Sequence, residues 1–166
     1  MTVEIWFKFD NINSNTVDVI LGATPFRLRK KASLPQIQLN FNGFVNYCDT
    51  TDPILTDKWY HFAWALNENN GGDFVCYLNG KPLPIGSSPP SLVTQNVTTL
   101  TEITFGSSLT LSGESNFKGY IREFKWWGIR RSEFIIAGFM NVEFSTIPST
   151  MIAYWKLKEK NDGSDT

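Results

Sequence analysis

Histidine is almost absent from this chain of 166 residues: it has one, His61. A Ser-His-Asp or Cys-His machinery would have to use it. His61 falls between Tyr60 and Phe62 in an apolar alternation with no evident nucleophile beside it, so the pattern assigns it a structural role. Cysteine is scarce as well. Cys48 and Cys76 show neither CxxC spacing nor a nearby His, which argues against a zinc site. Cys76 alternates with Phe74 and Leu78, and free Cys packs as a small hydrophobe. That favours two buried thiols; a Cys48–Cys76 disulfide stays open, because its geometry is invisible in sequence. No apolar run reaches the roughly 20 residues of a membrane span, and direct membrane insertion is not expected. Met1 to Ile5 lacks the charged and apolar regions of a signal peptide. An excess of either charge is missing too: 15 Lys and Arg face 16 Asp and Glu, a net charge of −1. Nucleic acid is therefore not the expected partner.

Aromatic residues are abundant, with 13 Phe, six Trp and five Tyr. They suit pleated, half-buried surfaces. The length fits one domain that needs no metal or disulfide staple. Residues 2–9 alternate, with Val3, Ile5, Phe7 and Phe9 on one face and Thr2, Glu4, Trp6 and Lys8 on the other, which predicts a half-buried strand. Further strands are expected at 17–21, 37–41, 44–48, 59–66, 74–78, 103–105, 117–127 and 151–157. Asn42-Gly43 and Asn79-Gly80 are hairpin turn signals. A bulge is expected between Ile121 and Phe124, where the apolar phase switches. Ser132 can cap a short helix to about Met140. Residues 25–35 read as a basic loop, 81–96 as a long Pro/Ser/Gly-rich loop, and 107–116 as a polar loop. The pattern predicts an all-β, two-sheet sandwich over 1–158 with a polar tail or linker at 159–166. A chain that opens in mid-strand reads as a piece of a larger protein, with other domains of that chain as partners.

Five stretches carry a resemblance. They are TVEIWFKFD at 2–10, KWYHFAWALN at 58–67, CYLNGKPL at 76–83, FKGYIREFKWWGIRRSEFI at 117–135 and MIAYWKLKE at 151–159. In this order they resemble the laminin-G-like and pentraxin-like branch of the concanavalin-A-like superfamily. The resemblance implies an antiparallel jelly roll with one short helix near 132–140. It implies sugar-binding, adhesive, calcium-dependent or hydrolytic activity, each of which has to be tested at its site.

The family's glucanases carry an E-x-D-x-x-E pattern, which is missing here. Retaining hydrolysis needs two carboxylates about 5–5.5 Å apart. The nearest acids around the REFKWW strand, Glu123 and Glu133, are ten residues apart in the chain, so no enzyme is expected. The resemblance would put the pentraxin calcium acids in loops that here read 26–32, which is cationic, and 107–114, which holds one acid. The pentraxin cysteine pair would fall near Glu4 and Ala63. No cofactor and no calcium site of that type is expected. A rim calcium site of the laminin-G type would draw on Asp49, Asp52 or Glu114.

Two sets of ligand candidates remain. Arg27, Arg29, Lys30 and Lys31 are the densest charge feature; a solvated loop is the favoured reading, and docking of an anionic glycan or acidic protein patch the functional one. Trp6, set outward by the alternation, and Trp126 or Trp127, which point to opposite faces, could stack on sugar or anchor a protein; packing beneath the helix or the 81–96 loop is the favoured alternative. Asn96 begins the only N-glycosylation sequon. The sequence thus points to a recognition or adhesion module for a glycan or protein partner, at a cell surface or secreted. A structural interaction domain with no soluble ligand is the alternative.

Overall fold

A computed structural model describes residues 1–12, 15–23, 26–41, 44–67, 73–84, 102–107 and 114–157, leaving aside the side chains of residues 41, 44–47, 67, 73, 114 and 115. Twelve strands and one helix are described. They are β1 (Thr2–Phe9), β2 (Val17–Ala23), β3 (Phe26–Lys30), β4 (Ile37–Phe41), β5 (Phe44–Asp49), β6 (Trp59–Asn67), β7 (Asp73–Leu78), β8 (Lys81–Pro82), β9 (Ile103–Phe105), β10 (Glu114–Asn116), β11 (Gly119–Trp127), α1 (Glu133–Phe139) and β12 (Met151–Trp155). The first sheet runs β12-β11-β1-β6-β7-β8 and the second β10-β2-β3-β4-β5, with β9 also on β2. All pairings are antiparallel except β10 with β2. This is the two-sheet sandwich that the period-two pattern predicts, in the jelly-roll form that the resemblance implies.

The alternation explains the core. Val3, Ile5, Phe7 and Phe9 of β1 are buried, and join Phe62 and Trp64 of β6, Phe124 of β11, Leu28 of β3 and Leu39 of β4 in one cluster between the sheets. Burying each such side chain contributes about 1.5–3 kcal/mol. The bulge in β11 is where the phase switch requires it. Glu4 pairs with Lys125, but Trp6 pairs with Arg122, so β11 carries one extra residue against β1. Glu123 takes a left-handed φ of 53° there. Its N–H leaves the ladder and donates to the Lys156 carbonyl at 2.9 Å.

Three expectations change. Cys48 and Cys76 are not free thiols: they form a disulfide, with Cα atoms 6.2 Å apart. Alternation put both on apolar faces but could not show that β5 and β7, on different sheets, bring them opposite each other. The basic stretch at 26–30 is strand β3, not loop. Phe26 and Leu28 face the core, which settles Arg27 and Arg29 outward. The polar stretch 107–116 ends in a short strand, β10. The Asn42-Gly43 turn, most of the 81–96 loop and the 159–166 tail lie outside the described residues.

The helix is where expected, with Ser132 as N-cap and its Oγ accepting from the Ile135 N–H at 3.4 Å. It lies on the outer face of the first sheet. Ile136 packs there against Ala63, Ala65 and Tyr77. The β7–β8 turn seats the helix. Gly80 has φ +77°, and a Cβ added to it would stand 2.8 Å from the Ala137 Cβ. No described helix is long and apolar enough to cross a membrane.

Candidate functional site

The outer face of the first sheet is polar by pattern yet largely covered. Glu4 is fully buried there. One of its carboxylate oxygens accepts from Arg131 Nη1 at 2.6 Å, and the other faces His61 Nε2 at 3.2 Å. Burial alone would raise the Glu4 pKa. The His61 hydrogen bond and the charges of His61, Arg131 and Lys125 outweigh it and hold the carboxyl below its ordinary value. Lys125, also buried, donates to the Val142 carbonyl at 2.8 Å and the Met140 carbonyl at 3.4 Å. Trp6 Nε1 donates to the same Met140 carbonyl at 2.9 Å. These bonds fix the chain after α1 as a wall standing on the sheet.

Beside that wall opens a cleft of about 560 Å³. Strand register builds its floor. Lys8 pairs with Trp59 on β6 and with Tyr120 on β11; Trp6 pairs with His61 and with Arg122. Three strands thus set two rows of side chains together, Trp59-Lys8-Tyr120 and His61-Trp6-Arg122. The Arg122 guanidinium lies over the Trp59 ring, 4.2 Å from its centroid, and 5.3 Å from that of Trp6. The Lys8 ammonium lies 4.2 Å from the Tyr120 centroid and 5.7 Å from that of Trp59. Cations over aromatic faces are attracted to the ring quadrupole.

Two acids also line the cleft, Glu123 and Glu143. Glu133, the acid the sequence offers nearest to Glu123, is not one of them: it sits exposed in the first turn of α1. The bulge turns Glu123 toward Tyr154, whose hydroxyl donates to it at 2.6 Å, and Lys125 Nζ is 3.7 Å away. Burial, then the Glu123 hydrogen bond, push the Tyr154 hydroxyl pKa up. Glu143 pairs with Lys156 at 3.5 Å. Both carboxylates therefore already have partners. This differs from a hydrolytic pair, in which one acid must be free to protonate a leaving group and the other to attack.

The residues singled out by sequence are dispersed. Trp6 points outward as the alternation requires, but is only 8% exposed, covered by the wall at Met140. Trp126 and Trp127 do point to opposite faces. Trp126 is half-buried against the core; Trp127 is buried on the outer face, with the Arg131 guanidinium 3.9 Å from its ring centroid and Phe144 at its edge. Neither is an open stacking platform: Trp126 packs inward on the core, and α1 with the chain after it covers Trp127. The four basic residues do not gather either. Arg27 and Arg29 lie half-buried across from Asn40 and Gln38 on the second sheet. Lys30 is fully buried and donates to the Thr16 carbonyl at 2.8 Å. Lys31 pairs with Asp49 at 2.7 Å. For Arg27, Arg29 and Lys30 the solvated loop expected is replaced by β3, which pairs on both edges, and Lys31 lies just past its end.

Of the calcium candidates, Asp49 is held by Lys31 and Asp52 is exposed, while the Glu114 side chain lies outside the described residues. Among the described residues no three His, Cys, Asp or Glu side chains gather as a metal cage would need. Asn96 lies outside the described residues. Sequence reasoning missed Lys8, Trp59 and Arg122. The signal for Lys8 was its parity with Trp6; the others required the register of two further strands.

The fold matches solved structures. A candidate carbohydrate-binding protein from Bacteroides ovatus superposes with a TM-score of 0.69 at 22% identity, over 99% of this chain and 46% of that one. The chain thus spans about half the length of that neighbour. A heptameric SAP-like pentraxin from Limulus polyphemus gives 0.58 at 15% identity, over 82% of this chain and 67% of that one. Domain 4 of AbnA, a GH43 extracellular arabinanase from Geobacillus stearothermophilus solved with arabinotriose, gives 0.56 at 19%, over 82% and 64%. No curated protein matches the sequence. Glu4 and Ala63, where the resemblance would put a pentraxin cysteine pair, are cross-strand neighbours here. The Laminin_G_3 model of the concanavalin A-like lectin/glucanases superfamily matches residues 1–137, so the chain belongs to that family.

Proposed function

We propose that this chain is a non-catalytic carbohydrate-recognition module whose sugar lies in the cleft over Trp59. The observation that carries this is the convergence of Trp6, Trp59, Lys8 and Arg122 on one cleft of about 560 Å³. Sugar sites combine apolar faces, which cover the C–H side of a pyranose, with a few oriented polar groups, and this cleft supplies both. Two of the structural neighbours, a candidate carbohydrate binder and an arabinanase domain solved with arabinotriose, support the same reading. The partnered state of Glu123 and Glu143 supports binding without bond cleavage. The Cys48–Cys76 bridge supports a secreted or surface setting, since disulfides persist in oxidising compartments.

Calorimetric titration against a panel of plant, bacterial and host oligosaccharides tests the reading. At least one is expected to bind without release of new reducing ends, and Trp59→Ala to weaken it by about tenfold, as an aromatic contact contributes about 0.5–1.5 kcal/mol beyond the apolar area it buries. Binding that ignores Trp59→Ala, or steady glycan hydrolysis, defeats it.

A second reading, a protein-contact domain, has its own observation. Phe134 is 83% exposed and Ile152 57%. Exposed apolar side chains mark contact surfaces when they adjoin, and Ile129 and Phe139, 47% and 42% exposed, line one depression beside α1. Under this reading the sugar panel stays silent and Phe134→Ser disrupts a partner complex.

A further inference from the structure

Resting on the sugar-cleft reading, we infer that the ligand is an acidic glycan whose ring carboxylate is received by Arg122 and Lys8. The argument is a charge account of the cleft. Its walls hold three cations, Lys8, Arg122 and Lys156, and two acids, Glu123 and Glu143. Both acids are committed: Glu123 to Tyr154 and Lys125, Glu143 to Lys156. Lys156 is thereby committed as well. Lys8 and Arg122 have no carboxylate or carbonyl partner among the described residues. They are held instead against aromatic faces, Arg122 on Trp59 and Trp6, Lys8 on Tyr120 and Trp59.

That arrangement positions charge without neutralising it. A ring face occupies one side of a guanidinium and leaves its N–H donors, which lie in its plane, open at the edge. The planar fork of an arginine matches a carboxylate in two parallel hydrogen bonds. Stacking also removes part of the side-chain freedom that Arg122 would otherwise lose on binding. Lys8 is held on the same indole, so both cations serve one site. A neutral sugar would leave both charges without a counter-group, whereas a uronate ring offers its carboxylate to the pair and its C–H side to the part of Trp59 that Arg122 leaves uncovered.

The experiment compares tri-galacturonate, a glucuronate trimer and 3′-sialyllactose, each beside its methyl ester, which removes the charge while keeping the ring, together with a sulfated disaccharide and the neutral oligosaccharides of the panel above. Wild type is expected to bind at least one acid about tenfold more tightly than its ester. The preference should shrink at about 0.5 M salt, where exposed charges are screened. Arg122→Gln and Lys8→Gln should each lower the acid-to-ester ratio, and the double variant should bring it to about one. Arg122→Lys should restore part of the salt dependence but not the full ratio. Arg122 is exposed, so its variants are expected to keep the wild-type circular dichroism and melting temperature. Equal binding of acids and esters, or a preference for sulfated over carboxylated sugars, overturns the inference; if that binding still needs Trp59, the sugar site itself stands. Absence of binding by every acid, ester and neutral sugar removes the site reading along with it.

Discussion

The outer faces of the two sheets start from the same kind of sequence and end differently. Both alternate polar residues outward. On the second sheet Arg27, Arg29, Gln38 and Asp49 form a surface of short polar contacts, with Arg29 Nε donating to Gln38 Oε1 at 3.1 Å and Lys31 bridging to Asp49. On the first sheet Glu4, His61 and Lys125 are fully buried, because the chain from Ile129 to Thr150 folds back over them. Outward parity therefore fixes which side of a sheet a residue takes, not whether water reaches it. A charge that loses water must find a partner, so the fully buried charges of the first sheet form one network. On the second sheet's outer face Gln38 and Asn40 are buried but the cations stay partly exposed, and it is held by pairs such as Arg29 with Gln38 and Lys31 with Asp49.

The largest expected effect breaks the covered network. Glu4→Gln should cost about 3–5 kcal/mol, since it leaves Arg131 buried without its counter-charge. The sign of the pH dependence follows. The folded-state pKa of Glu4 lies below its ordinary 4.5. Its stabilisation is thus complete above that value and is lost as pH falls through the lower folded pKa. Wild type should lose stability on acidification in that window, and Glu4→Gln should show a flatter profile; urea titration at a series of pH values reads both.

Next in size is the bridge between the sheets. Cys48 and Cys76 are separated by 28 residues, and removing such a crosslink should cost about 3 kcal/mol. The double Ala variant should melt well below wild type under non-reducing conditions. Reductant should lower wild type toward it; a variant as stable as wild type would show that the bridge restrains little.

The smallest effect sharpens the contrast. Asp49→Asn removes a half-exposed pair and should cost no more than about 1 kcal/mol. A cost comparable to that of Glu4→Gln would erase the distinction between the two faces.

Much of the fold was legible because it depends on local periodicity. Val3, Ile5, Phe7 and Phe9 announced β1, the switch between Ile121 and Phe124 announced the bulge, and Ser132 announced the helix start. The site was far less legible. Trp6 could be placed on the correct face, yet its cover comes from residue 140, more than a hundred positions away. Trp59 and Arg122 meet only because β6 and β11 flank β1 in a particular register. The disulfide was hidden for the same reason: its halves sit on separate sheets. The basic run misled because charge density suggested a loop, while Phe26 and Leu28 between the cations already spelled a strand with one apolar face.

The Lys125 ammonium reaches out of β11 to the carbonyls of Met140 and Val142. A flexible rim would have to be ordered by each incoming guest, at a cost in chain freedom. Here the protein meets that cost as it folds, so an occupant arrives at a shape already set. Capture should then proceed as docking into a rigid mould, with backbone positions around Met140 nearly identical in the empty and filled forms.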